Sequence, residues 1–222
     1  MLINADFSRR ATVTPADHAW VASPQAGVER VMLDRLGGEH ARATSLVRYA
    51  PGSCFPAHPQ PGGEEILVLS GTFSEDDAHC PAGWYLRNPP GSQHQPSSAE
   101  GATIFVKLWQ MAPEDTQRVR VDTRSPGAWQ RVQGREVCPL FSGPAEKVCL
   151  LKLAPGEALF DVPVDSAELL VLSGALTGHE LQLPTWGWMR LPTGFYPDLC
   201  AGAEGATLYL KTGHLAHLVQ KG

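Results

Sequence analysis

The chain has no long apolar run, no excess of positive charge and no paired-cysteine motif, and each absence removes a class of function. No stretch approaches the ~18 apolar residues that a membrane-spanning helix requires. Met1-Leu2-Ile3-Asn4-Ala5-Asp6-Phe7 shows no charged-then-apolar leader, so the expected setting is the cytoplasm, away from membranes. Lys and Arg number 18 against 23 Asp and Glu, a net charge of −5. Direct nucleic-acid binding needs clustered cations that displace counterions from phosphates, and it is not expected here. Arg118, Arg120, Arg124, Arg131 and Arg135 form the only local basic cluster, which reads as a solvated linker. The five cysteines, at 54, 80, 138, 149 and 200, include no C-x-x-C pair, so neither a disulfide framework nor a zinc ribbon is indicated. Cys149 reads as a small core residue, while Cys54 stands where it could face a site.

Long helices are also missing. No uninterrupted 3.6-residue apolar period extends over about 12 residues, leaving at most a turn or two at 115 to 120 or 215 to 219. Short strands take their place. Glu29 to Leu33, Thr44 to Tyr49, Ile66 to Leu69 and Thr103 to Leu108 are β-branched or aromatic runs bounded by Gly or Pro, with 22 Gly and 19 Pro supplying the breaks. Three blocks occur twice in the same order. Ser45 to Gly52 recurs as Cys149 to Gly156, Glu65 to Gly71 as Glu168 to Gly174, and Ala99 to Lys107 as Ala203 to Lys211, at offsets of 103 or 104 residues. This is a tandem duplication of one fold unit near the usual domain size. The expected architecture is all-β, two antiparallel jelly-roll barrels over residues 1–112 and 113–222, joined near 112 to 128.

The chemistry is concentrated in the first copy. Gly52 is followed after five residues by His58, then Pro59, Gln60, three residues, Glu64, six residues and Gly71. Downstream, Gly83 is followed after five residues by Pro89, Pro90, Gly91, two residues and His94. These spacings resemble the two signature motifs of the cupin superfamily, G-x5-H-x-H-x3-4-E-x6-G and G-x5-P-x-G-x2-H. Gly62 to Gly71, Tyr85 to Gly91 and His94-Gln95-Pro96 look like the ChrR-type cupins. The resemblance implies a tandem bicupin of double-stranded β-helix barrels. It also implies a metal held by residues aligned with His58, Gln60, Glu64 and His94.

One departure stands out, because the second histidine of the first motif is Gln60 here. An amide is a harder and weaker ligand than an imidazole. Either a metal stays through His58, Glu64 and His94, with Gln60 or water filling positions, or affinity has fallen and the histidines are vestiges in a packed barrel. The expected cofactor is one divalent ion, zinc or iron, with manganese or nickel as alternatives. Glu64 is preferred to Glu65 because neighbours on a strand face opposite ways, and the repeat aligns Glu65 with Glu168. His79, His214 and His217 read as solvated surface residues, although Asp76, Asp77 and His79 could take an adventitious ion. The second copy has Val162 and Pro197 at the ligand positions and reads as structural or as a binding surface for a partner, with Trp186, Trp188 and Tyr196 as core packing in preference to the lining of an apolar cavity.

Two functions follow from the resemblance. The first is a sensory or regulatory metal-binding protein related to ChrR anti-sigma factors, although the helical zinc-binding domain that grips sigma in those proteins has no counterpart here. The alternative is a non-haem dioxygenase cleaving a C–C bond of a small diketone or hydroxyketone. A third reading, independent of any metal, is a binding module that holds a small acid or sugar. No nucleophile or general base can be named, so whether the chain is an enzyme stays open. The partners expected are a small-molecule ligand or a regulatory protein, and a second copy of the chain in a homodimer.

Overall fold

A computed structural model describes residues 1–38, 40–215 and 218. The described residues form strands joined by turns and loops, with two 3-10 turns at Pro15–Asp17 and Pro126–Ala128. The chain divides into two compact units, the first made of residues 1–5 and 19–125 and the second of 6–18 and 126–222. The observed border therefore falls after Ser125 rather than at 112, and the segment 6–18 belongs with the C-terminal half.

Both units have one strand order. In the first, Val28–Leu36 lies beside Arg42–Tyr49, followed by Ala102–Leu108, Glu64–Glu75, Trp84–Asn88 and Val119–Asp122. In the second, Arg135–Ser142 is followed by Lys147–Leu153, Cys200–Thr212, Ala167–Gly178, Trp188–Leu191 and Ala11–Val13. The duplication seen in the sequence is thus a duplication of topology. Each series ends on a strand from outside its repeat block, Val119–Asp122 in the first and Ala11–Val13 in the second. The short helix expected at 115 to 120 does not form, because residues 119 to 122 pair with Trp84 to Arg87 instead. His217 and most of the turn expected at 215 to 219 fall outside the described residues.

The duplicated glycines have a geometric cause. Gly71 has φ +67°, and a Cβ there would lie 2.0 Å from the carbonyl oxygen of Gly101. Gly174 has φ +72°, and its Cβ would lie 2.1 Å from the carbonyl oxygen of Gly205. Backbone approaches another strand too closely for any side chain, so both copies keep glycine.

A charged row is duplicated as well. Glu65 stands opposite Lys107 on one side and Arg87 on the other. Glu168 stands opposite Lys211 and Arg190 in the same way. All six are buried. In the second unit Glu168 accepts from Trp188 Nε1 at 2.9 Å and lies 3.0 Å from Nε2 of His214. His214 is therefore a buried partner of a carboxylate and not the solvated residue expected. Trp188 is core, as the sequence suggested. The apolar core of the first unit contains Ile66, Val68, Phe73, Leu86, Ile104 and Val106.

Candidate metal centre

Ile66 and Val68 point into that core, and alternation along Glu64–Glu75 puts Glu64 on the same face and Glu65 on the other. Glu65 meets Arg87 on the far side at 3.5 Å. The remaining candidates arrive on two short strands, His58–Gln60 and Ser92–His94, that pair so that His94 stands opposite His58. Between Gln60 and Glu64 the chain turns at Gly62 and Gly63. A Cβ on Gly62 would sit 2.4 Å from the Trp109 ring, so the turn packs against an aromatic face.

The four candidates meet in one place. Gln60 Nε2 lies 3.0 Å from His58 Nε2 and 3.0 Å from His94 Nε2. His94 Nε2 is 3.3 Å from Glu64 Oε2, and the two imidazole rings are 4.9 Å apart edge to face. His94, Gln60 and Glu64 are buried while His58 is partly exposed, so the site opens on the His58 side.

The partners fix the tautomers. His58 Nδ1 donates to the Pro56 carbonyl at 2.9 Å, and His94 Nδ1 donates to Glu75 Oε2 at 2.9 Å. Neither acceptor can donate in return, so each neutral imidazole carries its hydrogen on Nδ1 and a bare lone pair on Nε2. The Gln60 amide nitrogen, with two hydrogens, faces both lone pairs.

Burial pushes the Glu64 carboxyl up to about 7, with the Glu75 charge adding to the rise while His94 opposes it. Its Oε2 is buried and has no hydrogen-bond partner among the described protein groups. His94 is shifted upward despite its burial, because Glu75 and Glu64 favour the imidazolium. Glu75 is held below the usual carboxylate range, where hydrogen bonds from His94 and Asn88 and the Arg120 charge outweigh its desolvation.

Would these residues suit an ion? Two donors bound at about 2.1 Å stand about 3.0 Å apart at right angles and about 3.4 Å apart in a tetrahedron. His94 Nε2 and Glu64 Oε2, 3.3 Å apart, have that spacing. The orphaned Glu64 oxygen asks for a cation or a hydrogen donor. Against this, among the described residues no group of three His, Cys, Asp or Glu closes into a ready-made cage. Gln60 bridges what would otherwise be pairwise contacts, and to ligate it must turn its oxygen inward. The residues fit a divalent ion on that condition.

Sequence reasoning missed Glu75 and Arg120. Glu75 directly precedes the polar turn at Asp76 and Asp77, yet it is buried. Arg120, assigned to a solvated linker, donates to both Glu75 and Asn88. Arg135 is likewise engaged, donating to the carbonyls of Leu159 and Ala158 at 3.0 and 2.7 Å. Cys54 is exposed, its sulfur accepting from Gln95 Nε2 at 3.5 Å, with no contact to the four candidates shown. Val162 is 65% exposed in the second unit.

Comparison with known proteins agrees with this architecture. Residues 8–112 match the family described as ChrR Cupin-like domain. That segment belongs to the ChrR cupin-like family. No curated relative matches the chain in sequence. Solved structures resemble nearly all of it. A putative dioxygenase from Nostoc punctiforme superposes with a TM-score of 0.66 at 14% identity, over 97% of this chain and 83% of its own. The bacterial pirin YhhW from Escherichia coli, in complex with nickel(II), gives 0.68 at 12%, over 92% and 98%. A cupin 2 conserved barrel domain protein from Leptotrichia buccalis gives 0.59 at 12%, over 87% and 92%. At these identities the likeness establishes the cupin fold of the chain. No helix among the described residues is long and apolar enough to cross a membrane.

Proposed function

We propose that the first unit is a reversible metal-binding module of the ChrR type, with a sensory or regulatory role. The observation that carries this reading is the convergence of two Nε2 lone pairs, the Gln60 amide and the orphaned Glu64 oxygen. His58, Glu64 and His94 would hold one divalent ion, zinc or iron before manganese or nickel, with Gln60 contributing its oxygen. Such an ion supplies Lewis-acid character and, if iron, redox chemistry. The chain's own residues present two oriented imidazoles, exclude water on the His94 side and admit a ligand on the His58 side. An amide in place of an imidazole lowers affinity, which suits an ion that comes and goes. The nickel-bound pirin of the same fold is consistent with ion binding. In this reading the module works in the cytoplasm, as a homodimer, and passes its state to a small-molecule or protein partner.

The test is zinc titration against a chromophoric chelator. We expect about one ion per chain for wild type and loss of at least tenfold in affinity for His58→Ala, Glu64→Ala and His94→Ala. Absence of zinc uptake by wild type, or uptake unchanged in all three variants, would overturn the reading.

A second reading is a C–C-cleaving dioxygenase. It is favoured by the ligand set, since two histidines and a carboxylate are the donors of non-haem iron oxygenases, and by the likeness to the Nostoc protein. Oxygen consumption by the iron-loaded protein with a small β-diketone would support it, and no uptake across a diketone and hydroxyketone panel would exclude it.

A further inference from the structure

His94 ends a strand of only three residues, Ser92–His94. A ladder that short holds backbone but cannot by itself choose which imidazole nitrogen carries hydrogen. That choice is made by Glu75. Its Oε2 accepts from His94 Nδ1 and from Asn88 Nδ2, both at 2.9 Å, and its Oε1 accepts from Arg120 Nη2. All three partners are N–H donors, so the carboxylate acts purely as an acceptor.

Arg120 holds the other end of the arrangement. Its Nη2 also donates to Asn88 Oδ1 at 2.6 Å, which fixes the Asn88 amide with its nitrogen toward Glu75. Its Nη1 donates to the carbonyls of Arg87 and Val119 at 3.2 and 2.7 Å. One planar guanidinium therefore anchors a carboxylate, an amide and two backbone carbonyls, a pattern an ammonium could not reproduce. Arg120 sits on Val119–Asp122, opposite Leu86. This strand lies beyond residue 112, where the family match stops.

We propose that Arg120 and Glu75 are positioning residues for the metal centre: through Glu75, Arg120 keeps the His94 hydrogen on Nδ1 and aims the Nε2 lone pair at the ligand position. The inference rests on the ion-binding reading for its consequence, but the tautomer itself can be read without any ion. It also makes the segment after the family domain part of the site. Orienting groups of this kind typically change metal affinity 10–100-fold.

The experiment uses the full chain with nitrogen-15 histidine. Long-range proton–nitrogen spectra report the His94 tautomer in chelator-treated protein, and zinc competition reports affinity in the same samples. Wild type should show Nδ1–H. Arg120→Ala should mix the tautomers and weaken zinc about 10–100-fold. Glu75→Gln, whose amide can donate toward Nδ1, should favour Nε2–H and weaken zinc by at least as much. Arg120→Lys, which keeps the charge without the fork, should fall between wild type and Arg120→Ala. Arg124→Ala, at an exposed arginine paired with Asp122, should match wild type in both measurements.

Unchanged tautomer and unchanged zinc affinity in Arg120→Ala and Glu75→Gln would overturn the proposal. If Arg120→Ala does not fold, Arg120→Lys and Glu75→Gln decide it by the same two measurements. If the variants shift the tautomer while no protein, wild type included, takes up zinc, the positioning role stands and the ion-binding reading fails. If wild type binds zinc and the variants change neither quantity, the positioning role alone is lost.

Discussion

The side-chain nitrogen of Gln60 lies 3.0 Å from Nε2 of His94. A second contact of the same length reaches His58. An N–H donor here quenches both lone pairs, so an ion must compete with two hydrogen bonds as well as tolerate an amide ligand. Gln60→His removes the bridge and restores a third imidazole. Its zinc affinity should rise by roughly tenfold or more, on the scale by which ligand-shell changes act. Chelator competition showing equal or weaker retention would count against the role given to Gln60.

Two desolvated thiols give a pH prediction. Burial pushes Cys138 and Cys149 each up to about 11, with Cys138 adding to the rise at Cys149. The thiolate is the reactive form, so in folded protein at pH 8 both should resist alkylation, and their rates should keep climbing as pH rises toward 11. Cys54 is exposed and should be modified first. Mass spectrometry of partially alkylated protein would show the order, and early labelling of Cys138 would contradict it.

Gly71→Ala and Gly174→Ala should each destabilise their own unit. Each new methyl would lie about 2 Å from the carbonyl oxygen of a facing backbone segment, in a left-handed backbone conformation. A cost of about 1–3 kcal/mol from the backbone alone is expected, with more from the clash. That lowers melting temperature by several degrees or more. Calorimetry showing an unchanged transition for either variant would mean the strands can separate there without penalty.

Truncation after residue 112 should do worse than its length suggests. It removes Val119–Asp122, which covers the edge of Trp84–Asn88, where Tyr85 and Leu86 are fully buried. It also removes Arg120 from Glu75. Residues 1–112 should aggregate, whereas a fragment ending at 125 should stay soluble to higher temperature. Light scattering during a thermal ramp compares the two, and identical onsets would show that the strand contributes nothing.

The spacing of Gly52, His58, Glu64, Gly71, Gly83 and His94 was legible because each motif is a strand–turn–strand unit, and local geometry is written in local spacing. Gln60 was legible for the same reason. Glu75 was not. It lies eleven residues past Glu64, an odd number that strict alternation sends to the opposite face. The pairing with Ala102–Leu108 steps from Val68 to Ser70 against adjacent residues Ile104 and Thr103. That leaves Leu69 as an extra residue and inverts the alternation beyond it, so Glu75 faces the same side as Glu64. Arg120 and His214 were missed for a different reason. Their partners, Glu75 and Glu168, are 45 and 46 residues away in sequence, and no local pattern encodes so long a contact.

The strand Ala11–Val13 pairs with Trp188–Leu191, which sets a timetable on the ribosome. Its partner is made nearly 180 residues later, an interval of about 9–36 s at ~5–20 residues per second. The first unit can close as soon as residue 125 has emerged, but Ala11–Val13 must wait for Trp188–Leu191 without a mate. It is short, and Arg9 and Arg10 precede it. Brevity and charge are what keep a waiting edge from finding the wrong neighbour.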